Sequence, residues 1–393
     1  MTQDTDAGIN TYELPIDLLE QLRERAPGFD ERNEFCAPDI EDLKRIGYFT
    51  CFLPREFGGA GLSLPQVCEL QTTLARYAPA TALCVNMHQI IIGLGHTLAR
   101  SSEDGNQAAG RRIFQLAAQG AIFGFGISEP GNDLVLFNSI SKALPVDDGS
   151  YLFSGTKIFT SLGSAWTHLV TFGRDDSVEG APLSVFAIID RKAGGVKTVE
   201  DWDALGMRAT GSHTTVLHEA PALSENILGK VAPGASIEPI ILGIFANFEI
   251  LLAATYAGIG LRALEVGASR VKERRSVKRG EPYSTDPDIR WRLASGAIRM
   301  DAVGAHLREI SGAFWNGEDR GMRWLPMLSN VKHQAVEASK LAVEESIRAC
   351  GGHSYYSGVE LSRLYRDVLA GLFQPSDAES LHGAWANMLL GPA

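Results

Sequence analysis

Tyr151-Leu-Phe-Ser-Gly-Thr-Lys-Ile-Phe-Thr160 is the stretch that decides the architecture. Aromatic and β-branched residues crowd these ten positions, and Asp147-Asp-Gly-Ser150 just before them reads as a turn. That combination predicts a strand. Working outward, residues 168–172, 183–189 and 212–217 repeat the pattern between clusters of Gly, Asp and Ser. Antiparallel strands in a barrel or sandwich are expected, rather than a βαβ array. Further out, on both sides, the apolar period becomes helical. Upstream, helices are predicted at 16–25, 39–46, 66–77, 80–98 and 108–118. Downstream they are predicted at 240–273, 286–311, 326–350 and 359–372. The chain therefore divides into a helical part (1–120), a β-barrel (121–232) and a helical bundle (233–393), an α+β fold.

Composition narrows the function classes. The 393 residues are 45% hydrophobic and 21% charged, an ordinary globular profile. Apolar runs such as 239–246 and 251–254 fall short of the ~20 residues a bilayer needs, so no membrane partner is expected. The first ten residues are polar and acidic, which predicts no signal peptide and a cytoplasmic protein. A net charge of −11 argues against a nucleic-acid partner. Cys36, Cys51, Cys68, Cys84 and Cys350 form no CxxC and read as small buried hydrophobes. The nine histidines are scattered, which predicts no metal site. Nucleophile-elbow, phosphate-loop and zinc motifs are missing.

Several weak pieces in order say more than each alone. Pro54-Arg-Glu-Phe-Gly-Gly-Ala-Gly61 is followed by Phe125-Gly-Ile-Ser-Glu-Pro-Gly131, then Gly155-Thr-Lys-Ile-Phe-Thr-Ser161 and Leu205-Gly-Met-Arg208. The tail carries Gly351-Gly-His-Ser-Tyr355, Arg366-Asp367 and Leu389-Leu-Gly391. In this order the chain resembles the acyl-CoA dehydrogenase family over nearly its whole length. The resemblance implies a helical domain, a β-barrel and a four-helix bundle, FAD at a dimer interface, and a homodimer or homotetramer. It implies α,β-dehydrogenation of an acyl thioester, carried by coenzyme A or a carrier protein. A base removes the α-proton, and flavin N5 takes the β-hydride. Electrons then pass to a further acceptor. Carried over by position, Phe125, Ile127, Ser128, Phe159 and Ser161 would meet the flavin ring. Arg274 would reach the partner's pyrophosphate, and Arg348, Gly351 and Gly352 would cradle the adenosine diphosphate half.

The sequence departs from that family in two places. The usual base lies nine residues after the Arg of Arg-Asp, which here is Pro375. An alternative helix position falls on Phe248, next to Glu249. Glu249, within the apolar run Phe248 to Leu252, is the expected base, with Asp377 second. Glu379 reads as a helix-start carboxylate. The loop Glu129-Pro-Gly-Asn-Asp133 is shorter than the family form. A flavin monooxygenase using oxygen, with His88 and Ser161 near the flavin, is the alternative; a silent subunit of a hetero-oligomer is a third. Met87, His88 and Phe245 are the expected pocket residues.

Overall fold

The computed structural model describes residues 12–391. Five helices come first: α1 (Ile16–Arg32), α2 (Ala37–Arg45), α3 (Leu64–Tyr77), α4 (Pro79–Ala99) and α5 (Asp104–Ala118). Eight strands follow: β1 (Phe123–Gly126), β2 (Lys142–Pro145), β3 (Tyr151–Thr160), β4 (His168–Asp175), β5 (Leu183–Asp190), β6 (Val196–Val199), β7 (His213–Ala222) and β8 (Ile227–Val231). The chain then returns to helix in α6 (Pro239–Glu273), α7 (Pro287–Trp315), α8 (Trp324–Cys350), α9 (Glu360–Phe373) and α10 (Ala378–Leu390).

The strands form one sheet in the order β6-β7-β3-β2-β4-β5-β8, with β1 paired to β4. Most pairs are antiparallel, but β1 runs parallel to β4 and β2 touches β4 in parallel at Lys142 and Arg174. This corrects the all-antiparallel expectation. The parallel pairs follow from chain path: β1 enters directly from α5, and β4 returns only after the β2–β3 hairpin.

Helix α6 is the axis of the helical parts. Its 35 residues pack against α3 and α4 on one side and α7 and α8 on the other. Small residues make that possible. A Cβ on Gly258 would lie 2.5 Å from the Thr72 carbonyl oxygen of α3, and one on Gly260 would strike Ser339 of α8. Helices α4 and α6 are each long and apolar enough to cross a membrane by length and composition, and both are largely buried in the protein core. The sequence reading underestimated that apolar length because isolated polar residues, Asn247 and Glu249, interrupt α6.

Helix ends obey local chemistry. Ser63 and Gln66 form a capping box at α3. Asp286 accepts the backbone N–H groups of Asp288 and Ile289 at α7. Helix α1 runs on through Pro27 to Arg32, past its predicted end, because Phe29 is buried in the core there.

Candidate active site

A cavity of about 610 Å³ opens where the three parts meet. Helix α4 supplies Leu83 and Met87, and β1 with the loop after it supplies Phe125, Ile127 and Ser128. The end of β3 adds Phe159 and Ser161, α6 adds Phe245, Phe248 and Glu249, and α9 with its following loop adds Phe373 through Ser376. Aromatic rings dominate the wall. Phe125 and Phe248 sit 5.8 Å apart, Phe137 and Phe245 6.2 Å apart, and Phe159 stands edge-on to Trp202.

Three polar features break this surface. The first is a row of buried hydroxyls. Thr210 Oγ1 donates to the Met207 carbonyl at 2.8 Å, Ser212 Oγ lies 2.6 Å from Thr210, and Ser161 Oγ lies 2.7 Å from Ser212. Each hydroxyl has one proton. With the Thr210 proton on Met207, Ser212 donates to Thr210 and Ser161 donates to Ser212. Ser161 is left with lone pairs to offer to the cavity.

The second is Glu129. Its carboxylate accepts Lys157 Nζ at 2.6 Å, Ser139 Oγ at 2.6 Å, Asn132 Nδ2 at 2.7 Å, and the backbone N–H groups of Ile140 and Ser141. Both Glu129 and Lys157 side chains are fully buried. Burial pushes the Glu129 carboxyl up, but the Lys157 charge and these hydrogen bonds overcome it and hold it at about 2. Burial pulls Lys157 down to about 8, against the pull of Glu129. Both are charged at neutral pH.

The third is Glu249, 0% exposed. Its Oε1 accepts the Ser376 N–H at 2.8 Å and Ser376 Oγ at 2.7 Å. Its Oε2 is buried without a hydrogen-bond partner. Burial raises the carboxyl to about 7, moderated by the Lys332 charge. Lys332 itself donates to the carbonyls of Gly371, Gln374 and Ser376. Tyr256 Oη donates to Gln374 Oε1 at 2.7 Å. The loop 374–376 is thus tied to α6 and α8.

The cavity brings Met87, Phe125, Ile127, Ser128, Phe159, Ser161, Phe245 and Glu249 together. Two residues expected at the reacting end, His88 and Asp377, lie off its wall. His88 is 1% exposed and off the wall. Its Nδ1 accepts the Phe123 N–H at 3.1 Å, so its Nε2 carries the proton donated to the Phe49 carbonyl. Burial lowers it to about 4, so it is neutral and anchors β1 to the N-terminal part. Asp377 is the N-cap of α10, accepting the Ser380 N–H at 2.8 Å. The Ser380 hydroxyl bond lowers its pKa, and it does not reach the cavity wall. Glu379 lies exposed in the first turn of α10.

Arg274, Arg348, Gly351 and Gly352 form a separate group at the far end of α6, roughly 35 Å from Glu249 along the helix. Arg274 donates to the Cys350 carbonyl and lies over the Tyr283 ring, while Gly351 turns at φ +73° and Arg348 is exposed.

Lys332, Ser376 and the Glu129–Lys157 pair escaped the sequence reading. Lys332 had a signal: it falls among Leu328, Val331, Ala335 and Ser339, all on one buried helical face. Lys157 shares its strand face with Phe153 and Tyr151, which point inward.

The comparisons agree with this geometry. The acyl-CoA dehydrogenase N-terminal domain matches residues 18–109, and the C-terminal domain matches 239–373. The chain belongs to the acyl-CoA dehydrogenase family, an enzyme family of flavoprotein oxidoreductases. Within it, the chain is 26% identical to L-evernosamine nitrososynthase of a Micromonospora species, covering 94% of this chain and 87% of that one. It is 27% identical to the putative acyl-CoA dehydrogenase YdbM of Bacillus subtilis, covering 91% of each. It is 28% identical to dibenzothiophene monooxygenase of Rhodococcus qingshengii, covering 89% and 86%. Among solved structures, KijD3 in complex with FMN and dTDP-3-amino-2,3,6-trideoxy-4-keto-3-methyl-D-glucose superposes with a TM-score of 0.84 at 23% identity, covering 96% and 92%. Butyryl-CoA dehydrogenase from Megasphaera elsdenii gives 0.82 at 18%, covering 96% and 99%. These two show the shared fold.

Proposed function

We infer that this chain is a flavin-dependent monooxygenase built on the acyl-CoA dehydrogenase fold, and that it acts on a substrate held in the 610 Å³ cavity. One observation carries the reading: Pro375, which has no proton acceptor, stands on the wall at the position where the family resemblance puts the base. Of the other wall carboxylates, Glu129 is closed by five donors, Glu249 is held by Ser376 through one oxygen, and Asp133 lies exposed at the edge. Relatives named as a nitrososynthase and a dibenzothiophene monooxygenase support it.

A flavin suits the residues present. Phe125, Ile127, Phe159 and Ser161 supply an apolar wall with one polar atom. The lone pairs of Ser161 suit a ring N–H, which a reduced flavin carries. When bound, reduced flavin would activate oxygen for transfer to the substrate. The protein's part is to exclude water with aromatic side chains and to hold donors and acceptors in place. FMN, the flavin named in the KijD3 complex, is the proposed form. FAD shared between copies of a homodimer would bring the Arg274 group into use.

Glu249 favours a second reading, acyl-thioester dehydrogenation. Its free Oε2 and near-neutral carboxyl suit a general base. A pair of measurements separates the two. Monooxygenation predicts oxygen uptake with supplied reduced flavin and no bleaching of bound flavin by acyl-CoA or acyl-carrier-protein thioesters without oxygen. Anaerobic bleaching would overturn it. Glu249→Gln would then slow that bleaching by about 10²–10⁴-fold.

A further inference from the structure

The least satisfied polar group on the cavity wall is Glu249. Its Oε2 is buried and unpartnered, and the side chain lines the cavity. A buried carboxylate oxygen without a donor is costly. The nearby cation does not serve it, since Lys332 Nζ spends its three protons on three carbonyls. Rings of Phe125, Phe248 and Phe245 surround this side of the cavity. Aromatic faces attract a cation that a carboxylate holds beside them.

The rest of the wall offers little to an anion. Its arginine, Arg366, is committed to the Asp30 carboxylate and the Leu205 carbonyl. Asp133 lies exposed on the loop that edges the cavity. Ser161 presents an acceptor, as argued above. Glu249 Oε2 and Asp133 thus offer negative charge to this space, set in an apolar aromatic surround whose free donors, Ser128 and Gln374, are neutral.

We propose that Glu249 is a substrate-binding residue for an amine: the cavity takes a largely apolar molecule whose protonated amino group donates to Glu249 Oε2, without a phosphate or nucleotide handle. This deepens the reading of the cavity as a substrate chamber and rests on it. An amine supplies both the missing donor and a compensating charge, where a hydroxyl supplies only the donor.

The probe is 2-phenylethylamine, compared with 2-phenylethanol and propylbenzene, which match it in shape. Binding to the purified protein is followed at pH 8 through the fluorescence of Trp202 on the wall, checked by calorimetry. The amine is expected to bind about tenfold or more tightly than propylbenzene, with the alcohol between. Glu249→Gln should remove most of the amine's advantage and leave propylbenzene unchanged. Equal binding of the three compounds by the wild-type protein would overturn the proposal, whether or not the variant folds. So would loss of the preference in Asp133→Asn with Glu249 intact. Oxygen plays no part in this readout. Amine-selective binding in a protein that consumes no oxygen would uphold the binding site and sink the monooxygenase reading.

Discussion

Glu129 and Glu249 line the same cavity, yet the fold treats them in opposite ways. Glu129 sits on the sheet side, where five donors, one of them a buried ammonium, close its carboxylate. Glu249 sits on the helical side, where Ser376 serves one oxygen and nothing serves the other. The first is held near 2 and the second is raised to about 7. A closed charge network shapes a wall; a half-open one leaves work for a ligand.

Breaking the closed side should have the largest effect. Lys157→Met leaves Glu129 buried without its cation. A loss of about 3–5 kcal/mol is expected in urea unfolding, and adding Glu129→Gln should recover part of it. A Lys157→Met protein as stable as wild type would show that the pair is not the wall's support.

Titration sharpens the contrast next. The Glu129 contribution is present above its ordinary value of 4.5 and is lost as pH falls toward 2. Glu249 runs the other way. The folded protein keeps a proton that the unfolded chain releases above about 4.5, so its contribution is lost as pH rises through 7. Asp39 and Asp367, each raised to about 6 chiefly by burial, add to the same limb. Thermal stability should decline between pH 5 and 8, and Glu249→Gln should flatten part of that decline. An unchanged slope would mean that Glu249 keeps no proton near neutrality.

The smaller effects concern the loop and the cap. Ser376→Ala removes one of two bonds to Glu249 Oε1 and should cost about 1 kcal/mol while shifting ligand affinity. Asp377→Ala should cost about 1 kcal/mol through lost capping of α10, with turnover unchanged. A collapse of turnover in Asp377→Ala at normal stability would restore it as a candidate at the site.

The tripartite architecture was legible because the apolar period changes sharply around residues 121 and 233. Glu249 was legible as a lone acid in an apolar helix. Its partner Ser376 was not, because the two meet across the bundle and no local spacing relates them. Lys157 shares the inward face of β3 with Tyr151 and Phe153, but its partner Glu129 lies 28 residues away and no local spacing relates the two. His88 looked like a pocket residue by helix position, but one residue step, about 100° of rotation, separates Met87 on the wall from His88, which turns to the backbone of β1 at Phe123. Parallel pairing of β1 with β4 depends on where a distant strand returns, which pattern alone does not encode.

Lys332 closes the last turn of α9 through Gly371 and holds the following loop through Gln374 and Ser376. The same ammonium feels the charge on Glu249. Occupancy of the cavity and tightness of the α9–α10 connection are therefore linked quantities. By reciprocity, a ligand that fixes the charge of Glu249 must slow amide exchange in that connection, and whatever loosens the connection must weaken the ligand by the same factor.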